Sequence, residues 1–333
     1  MNHDMIAAGH PPLRFELSSY HDLIRQKHWT DSERIETPEF KVQLWAAGQL
    51  AVADSTLSLL KSRAGGHPEQ PWPEFSEYEC FACHQRMRPQ LPAPGTAERP
   101  MQVRKSGLPE WQVWNLSMAE KLLSSGTTTR NDPHAQFQSS LSEIRKTFSG
   151  SLTPDHEHIV IHANRATTAL HGHPLGRELA GRRYGSSVSL TAAQLLRLIA
   201  EESVPSQQSW AASCQDWLAL RSAYLAWRDE AHKLQLMGRL SSNEYSGLTR
   251  GEWALQFEAQ LAMVRQSLEF GSREYEWPRY DWQGLPTPDP LPLPQLPLLT
   301  SLDAIDHQLK GLATHLLIRM DAGSDTSASG ISQ

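Results

Sequence analysis

Hydrophobic residues recur along much of this chain at intervals of three and four, the spacing of an amphipathic helix. Four residues near the start predict a helix over residues 13–29: Leu13, Leu17, Tyr20 and Ile24. The later helical segments are predicted at 109–124, 134–148, 190–203, 207–238, 249–269 and 300–321. The expected fold class is therefore all-α.

Boundary residues define one further helix. Thr37-Pro38-Glu39 combines an N-cap side chain, a first-turn proline and an acidic residue, and predicts a helix that runs from there to about Ser62. Gly65-Gly66 is expected to end it. The predicted core positions of this helix are Phe40, Leu44, Leu57 and Leu60.

Composition narrows the function classes. The 333 residues suffice for one large or two ordinary domains. A net charge of -6 and the lack of a Lys/Arg-rich run argue against a nucleic-acid-binding surface. No run of eighteen apolar residues is present, so the sequence predicts no transmembrane segment.

The motif with the clearest chemistry is Cys80-Phe81-Ala82-Cys83-His84, which has the C-x-x-C-H spacing of a covalent haem attachment site. Cys80 and Cys83 would form thioether bonds to the two haem vinyl groups. His84 would be the proximal iron ligand. The predicted cofactor is therefore covalent haem c, carried on a short helix from about Ser76 to Arg86.

Two other chemistries also use a C-x-x-C pair. A structural zinc site needs about four ligands, and the chain contains no second C-x-x-C. A thioredoxin-like redox motif should follow a strand in a βαβ unit, whereas this segment is predicted to be helical. Haem is the favoured interpretation, with structural zinc as the alternative.

Proline content suggests a division of the chain. Residues 1–90 form the predicted haem-binding region and residues 91–107 a loop or linker. Residues 108–322 form a predicted bundle-like helical region, and residues 323–333 a disordered tail. Within the helical region, residues 284–298 contain six prolines and predict an extended strap.

A six-coordinate haem needs a second axial ligand, usually His or Met. Met87 is too close to His84 in sequence to reach the opposite face of the haem. His10, in Ala7-Ala8-Gly9-His10-Pro11, is the first candidate because small neighbours let a flat ring approach the backbone. His67 repeats the Gly-His-Pro arrangement and is the second. The other histidines in the first 70 residues are His3, His21 and His28.

A second group of histidines occurs between residues 150 and 186, where the secondary structure is unclear from the sequence. Its members are His156, His158, His162, His171 and His173. His158 and His162 have the i, i+4 spacing of metal ligands on one helix face. A polar loop is the favoured interpretation, and a metal-binding or haem-facing role is the alternative.

Cysteine use bears on the compartment. Two of the three cysteines belong to the haem motif, and Cys214 is expected to be a buried, unreactive thiol. Covalent haem attachment predicts a periplasmic or otherwise extracytoplasmic location. The first residues have no basic and apolar segments typical of a signal peptide, so we expect either that the signal has been removed or that this chain is the later part of a longer protein.

Three segments together resemble multihaem c-type cytochromes related to the cytochrome c-552/c-554 group. They are Asp4 to Pro11 with Phe15-Glu16-Leu17, then Trp45-Ala46-Ala47-Gly48-Gln49, and Trp72 to His84. The resemblance covers about residues 1–90. It implies that His10 is a distal haem ligand, and that further haem motifs precede this segment in a longer protein. Gln85 departs from the histidine that family members often have directly after C-x-x-C-H.

These observations predict an electron-transfer protein in a multihaem system, more an electron carrier than a catalyst. Its expected partners are redox proteins, other haem domains or subunits. The alternatives are a redox enzyme subunit acting on a small nitrogen compound and a structural zinc-binding helical protein. A docking role for residues 100–320 was also considered, but Trp217, Tyr224 and Trp227 are better explained as a core-packing stripe.

Overall fold

The computed structural model of this chain describes residues 16–23, 28–37, 39–66, 71–78, 110–124, 132–180, 190–201, 209–268 and 302–328, together with residues 4, 5 and 8. Within these ranges the regular structure is helical, and the only β-type pairing is an isolated antiparallel bridge between Tyr78 and Trp111. The all-α prediction is confirmed. No helix in the described ranges is both long and apolar enough to cross a membrane.

We number the helices in chain order. They are α1 Leu17–Leu23, α2 Asp31–Glu36, α3 Phe40–Ala64, α4 Ser117–Ser124, α5 Pro133–Gly150, α6 His156–Gly172, α7 Pro174–Ala180, α8 Ala192–Ala200, α9 Trp210–Leu236, α10 Ser242–Arg250, α11 Glu252–Leu268 and α12 Leu302–Ala328. In the described part of the chain between α3 and α4, residues Phe75–Glu77 form a 3₁₀ turn.

Two compact units account for the described residues. The first unit takes them from Met1–Arg14 and Leu50–Gly185, and the second from Phe15–Gln49 and Ser186–Gln333. The chain passes from the second unit to the first within α3. The predicted linker, the proline strap and residues 329–333 of the predicted tail lie outside the described residues, so the predicted division stays a prediction. Helix α12 extends to Ala328.

The first unit is built around the hairpin of α5 and α6. Asp132 caps α5 by accepting from the His134 N–H at 2.9 Å, and Asp155 caps α6 by accepting from the His158 N–H at 2.7 Å. Both helices bury residues at intervals of three and four, which produces one continuous seam between them. The buried side chains on α5 are Phe137, Leu141, Ile144 and Phe148, and those on α6 are Ile159, Ala163, Ala166 and Leu170.

The second unit is organised by α9, which packs against α8, α11 and α12. The Trp210 indole donates to the Leu268 carbonyl at 2.8 Å, and the Trp217 indole donates to the Leu261 carbonyl at 2.9 Å. Tyr224 is buried; it stacks on Trp227 and contacts the Phe257 ring at a tilt. Trp217 and Trp227 are half-buried, so only Tyr224 of the predicted stripe is a core residue, although the stripe does pack against α11.

Several predicted boundaries are wrong for identifiable local reasons. Thr37 ends α2 instead of starting α3: its N–H and hydroxyl both donate to the Glu33 carbonyl. Glu39 has a φ of 55°, outside the right-handed helical region, so α3 begins at Phe40. Leu44, Leu57 and Leu60 are core residues as predicted, while Phe40 is half-buried.

Candidate functional site

The segment that leads into the C-x-x-C-H motif is described up to Tyr78, two residues before Cys80. The helix predicted from about Ser76 is wrong at its start. Residues Phe75–Glu77 form a 3₁₀ turn, and Tyr78 is extended with φ -98° and ψ 155°. The Gln112 N–H donates to the Glu77 carbonyl at 2.8 Å, which pairs this segment with residues just before α4. Such pairing favours an extended backbone at Tyr78 over a helix.

Cys80, Cys83, His84 and the two candidate distal ligands, His10 and His67, lie outside the described residues. Their roles therefore stay predictions. Of the other early histidines, His21 is buried against Trp29 and Phe40, with ring centroids 4.9 and 6.3 Å away. His28 is exposed and contacts Trp29.

An aromatic cluster anchors the segment before the motif. Phe148 of α5 is fully buried at its centre, and its ring centroid lies 6.0 Å from that of Trp72, 5.6 Å from Tyr78 and 5.8 Å from Trp111. Aromatic pairs at these separations add stability beyond their buried area. The Trp72 indole also donates to the Pro154 carbonyl at 2.8 Å. Residues 72–78 are thus attached to the core of the first unit.

A buried ion pair also holds residues 72–78 in place. Arg63, near the end of α3, donates to Oε1 of Glu77, which is only 4% exposed. Burial raises the pKa of Glu77, and the Arg63 guanidinium opposes that rise. Sequence inspection did not identify this pair, since fourteen positions separate its members and no local pattern links them.

The hydroxyl of Tyr78 is the last polar side-chain group that the structure describes before the motif. Tyr78 is 4% exposed, and its Oη has no hydrogen-bond partner among the described residues. Burial, with a smaller contribution from the Glu77 charge, raises the pKa of this phenol. At neutral pH the group is therefore protonated and able to donate.

The histidines between residues 150 and 186 lie on or next to helices, which corrects the expectation of a polar loop. His156 Nδ1 lies 2.7 Å from the Ala64 carbonyl oxygen, and His171 Nε2 lies 3.0 Å from Asp54. His173 ends α6, and its Nδ1 accepts the Leu175 N–H at 3.3 Å. Three of the five therefore make separate structural contacts.

Only His158 and His162 come together, with ring centroids 4.4 Å apart on one face of α6. Glu143 of α5 lies beside them, with its Oε2 3.6 Å from His158 Nε2. Sequence reasoning identified the i, i+4 pair but missed Glu143. The available signal was its place on the preceding helix, since a short connection returns α6 along α5.

Comparison of this chain with models of known protein families, with curated proteins and with solved structures yields no match in any of the three.

Proposed function

We propose that this chain is a c-type cytochrome that carries one covalent haem at Cys80, Cys83 and His84 and transfers electrons. The observation that carries the proposal is the motif itself, C-x-x-C-H, whose two thiols and adjacent imidazole form the donor set for covalent haem. When bound, haem supplies one-electron redox chemistry at its iron. Cys80 and Cys83 would hold the macrocycle and His84 the iron.

The surroundings of the motif support this assignment. Cys80 follows Tyr78 by two residues, so the chain limits their Cα separation to about 7 Å. The cluster of Phe148, Trp72 and Trp111 around Tyr78 supplies an apolar environment, which limits water access and thereby tunes a haem potential. The Tyr78 hydroxyl has no hydrogen-bond partner among the described residues, and it could donate to a carboxylate such as one of the two propionates of haem.

The second axial ligand remains a choice between His10 and His67. Bis-histidine ligation by either residue gives a lower potential than His/Met ligation, because a thioether stabilises reduced iron. We favour His10, since the cytochrome c-552/c-554 resemblance assigns it a distal role. Redox proteins or further haem domains in an extracytoplasmic compartment are the corresponding partners.

Export of the chain with a cleavable signal peptide, in cells that mature c-type cytochromes, tests the proposal. A denaturing gel stained for haem should show a band for the parent chain and none for Cys80→Ser/Cys83→Ser. Cys214→Ser is the matched control, because that thiol is buried in α9 and outside the motif. Loss of the stain in C214S alone, or its persistence in the double variant, contradicts the proposal.

Spectroscopy of the same protein separates an electron carrier from a redox enzyme. A low-spin spectrum that does not change when carbon monoxide is added to the reduced protein fits two strong axial ligands and electron transfer. Carbon monoxide binding would indicate an open iron position and favour the enzyme alternative. His10→Ala should convert the iron to a five-coordinate or water-ligated form, and His67→Ala should not. The reverse pattern would assign the ligand to His67.

A further inference from the structure

The side chains of Glu143, His158 and His162 converge between α5 and α6, away from the haem motif in sequence. One ligand atom from each residue lies within 4.8 Å of the others. His158 Nε2 and Glu143 Oε2 are already 3.6 Å apart. The His162 Nδ1 atom is buried and has no hydrogen-bond partner in the described part of the chain.

The fold holds these three residues in place independently of any ligand. Four residues separate His158 from His162, so one face of α6 presents both imidazoles. The hairpin seam, buried through Ile144 and Ile159 among others, brings Glu143 of α5 alongside that face. The three donor side chains are therefore largely in position before a metal binds.

Donor chemistry and spacing match zinc. Tetrahedral zinc with ligand bonds of about 2.1 Å places its donor atoms about 3.4 Å apart. The 3.6 Å separation of Glu143 and His158 is close to this value, and the remaining contraction needs only side-chain rotation. Two imidazoles with one carboxylate suit a borderline metal, whereas Ca²⁺ and Mg²⁺ prefer oxygen donors.

One neighbouring cation bears on the binding. Lys146 Nζ lies 3.7 Å from Glu143, but the lysine side chain is 78% exposed, so this ion pair is weak and easily displaced. A metal needs an unprotonated imidazole nitrogen, and the buried Nδ1 atom of His162 has no hydrogen-bond partner among the described residues.

The site opens onto a surface groove, which leaves room for a fourth ligand. Glu143 and His158 line this groove together with Thr147, Asp155 and Glu157. Three protein donors and one open position are typical of zinc sites that bind water or a substrate. We propose that Glu143, His158 and His162 form a site for one Zn²⁺ ion, with its fourth position facing the groove.

Titration of metal-free, full-length protein with ZnCl₂ by isothermal calorimetry tests this site. The parent chain should bind one Zn²⁺ here. Glu143→Gln, His158→Ala and His162→Ala should each weaken binding by at least about 100-fold, because even the outer-shell partners of metal ligands contribute 10–100-fold. Glu143→Gln keeps the size and hydrogen-bonding capacity of the side chain, so its effect cannot be ascribed to misfolding.

His171→Ala is the matched control. His171 lies on the same helix, is similarly exposed and pairs with Asp54 outside the proposed site, so its loss should leave zinc affinity unchanged. Equal weakening by His171→Ala would mean that the titration reports diffuse surface binding and would overturn the proposal. So would an unchanged affinity in Glu143→Gln and His158→Ala.

The Cys80→Ser/Cys83→Ser background separates this site from the haem motif. Zinc binding that is retained in this background, and is lost when His158→Ala/His162→Ala is added, supports the site whether or not haem attaches to the chain. Zinc binding that is lost with the thiols, but retained when only the two histidines are removed, would overturn the proposal. Co²⁺ provides a second readout, since an N/O donor set gives d–d absorption without a thiolate charge-transfer band.

Discussion

Arg63 donates a hydrogen bond to the buried carboxylate of Glu77, three residues before Cys80. The pair joins the end of α3 to the segment that leads into the haem motif. Desolvation of both charges offsets much of their attraction, so the pair contributes more to the placement of residues 75–78 than to net stability. Removal of one partner, in contrast, leaves a charge buried without compensation.

Arg63→Met should therefore lower the free energy of unfolding by about 3 kcal/mol at pH 7. Burial raises the folded-state pKa of Glu77 even with Arg63 present, and removing Arg63 raises it further. At pH values between the pKa of Glu77 in the unfolded chain and its higher pKa in the folded variant, the folded state binds more protons than the unfolded state. The free energy of unfolding therefore falls as pH rises through that range. Urea unfolding at pH 5 and pH 7 should show a smaller loss at pH 5.

Glu77→Gln in the Arg63→Met background is the control for this effect. It removes the titrating group, so the extra loss between pH 5 and pH 7 should vanish. A loss of equal size at both pH values in Arg63→Met would show that Glu77 is not the group responsible.

His173 should make stability depend on pH in the opposite direction. Burial lowers its pKa below 6.5, with His134 acting in the same sense and Asp132 against it. Below that value the unfolded state binds the proton more readily, so stability is lost as pH falls from about 6.5 toward the lower folded-state pKa. Protonation also removes the Nδ1 acceptor for the Leu175 N–H.

His173→Asn keeps an acceptor near that N–H but does not titrate. As the pH falls from 7 to 5, the parent should therefore lose more unfolding free energy than the His173→Asn variant. A difference that stays constant over this range would refute the assignment to His173.

Phe148 is the centre of the aromatic cluster, and Phe148→Ala should cost about 3–5 kcal/mol of stability, the usual result of removing a fully buried ring. The yield of covalently attached haem should fall with it, because Trp72 and Tyr78 lose their common contact. Phe75→Ala is the matched control: this ring contacts Tyr78 but is 63% exposed, so the cost should stay within about 0.5 kcal/mol. Thermal unfolding and haem staining of the two variants make the comparison.

Gly48 lies in α3 where α1 crosses it closely. A Cβ at Gly48 would lie 2.6 Å from Leu17 Cβ, an atom next to the backbone that cannot rotate away. Gly48→Ala should therefore destabilise the protein, although alanine is normally the better helix residue by about 1 kcal/mol. Gly311→Ala in α12 meets nothing within 4 Å and should stabilise by about that amount. Stabilisation by Gly48→Ala would contradict the close packing of α1 on α3.

Periodicity was sufficient to predict the fold class and the long helices α9 and α12, because burying one face of a helix leaves a repeat of three and four residues. Helix α3 was predicted from its boundary residues. Periodicity did not predict α2 and α10, which are short and are defined by the capping boxes Thr30/Glu33 and Ser241/Glu244. It also left α6 uncertain, because the alanines and histidines of this helix weaken the apolar repeat. The same small alanine side chains let α6 approach α5 closely.

The residues of the candidate sites differ in the same way: some are neighbours in sequence, and others are brought together only by packing. Local spacing reveals Cys80, Cys83 and His84, and the His158/His162 pair, because their members are neighbours in sequence. Glu143 and the Arg63–Glu77 pair depend on how distant segments pack. For Glu143 the one available signal was the short connection between α5 and α6, and for Arg63 and Glu77 no local residue pattern contains that information. Contacts between distant segments follow from packing rather than from local chemistry.

The intact mass of the denatured, exported protein tests the central claim most directly, because only a covalent cofactor survives denaturation. We predict that the parent chain and Cys214→Ser each carry the added mass of one haem, and that Cys80→Ser/Cys83→Ser carries none. An unmodified mass for the parent chain, in cells that attach haem to a control cytochrome, would contradict the account and leave Cys80, Cys83 and His84 as residues of another metal site.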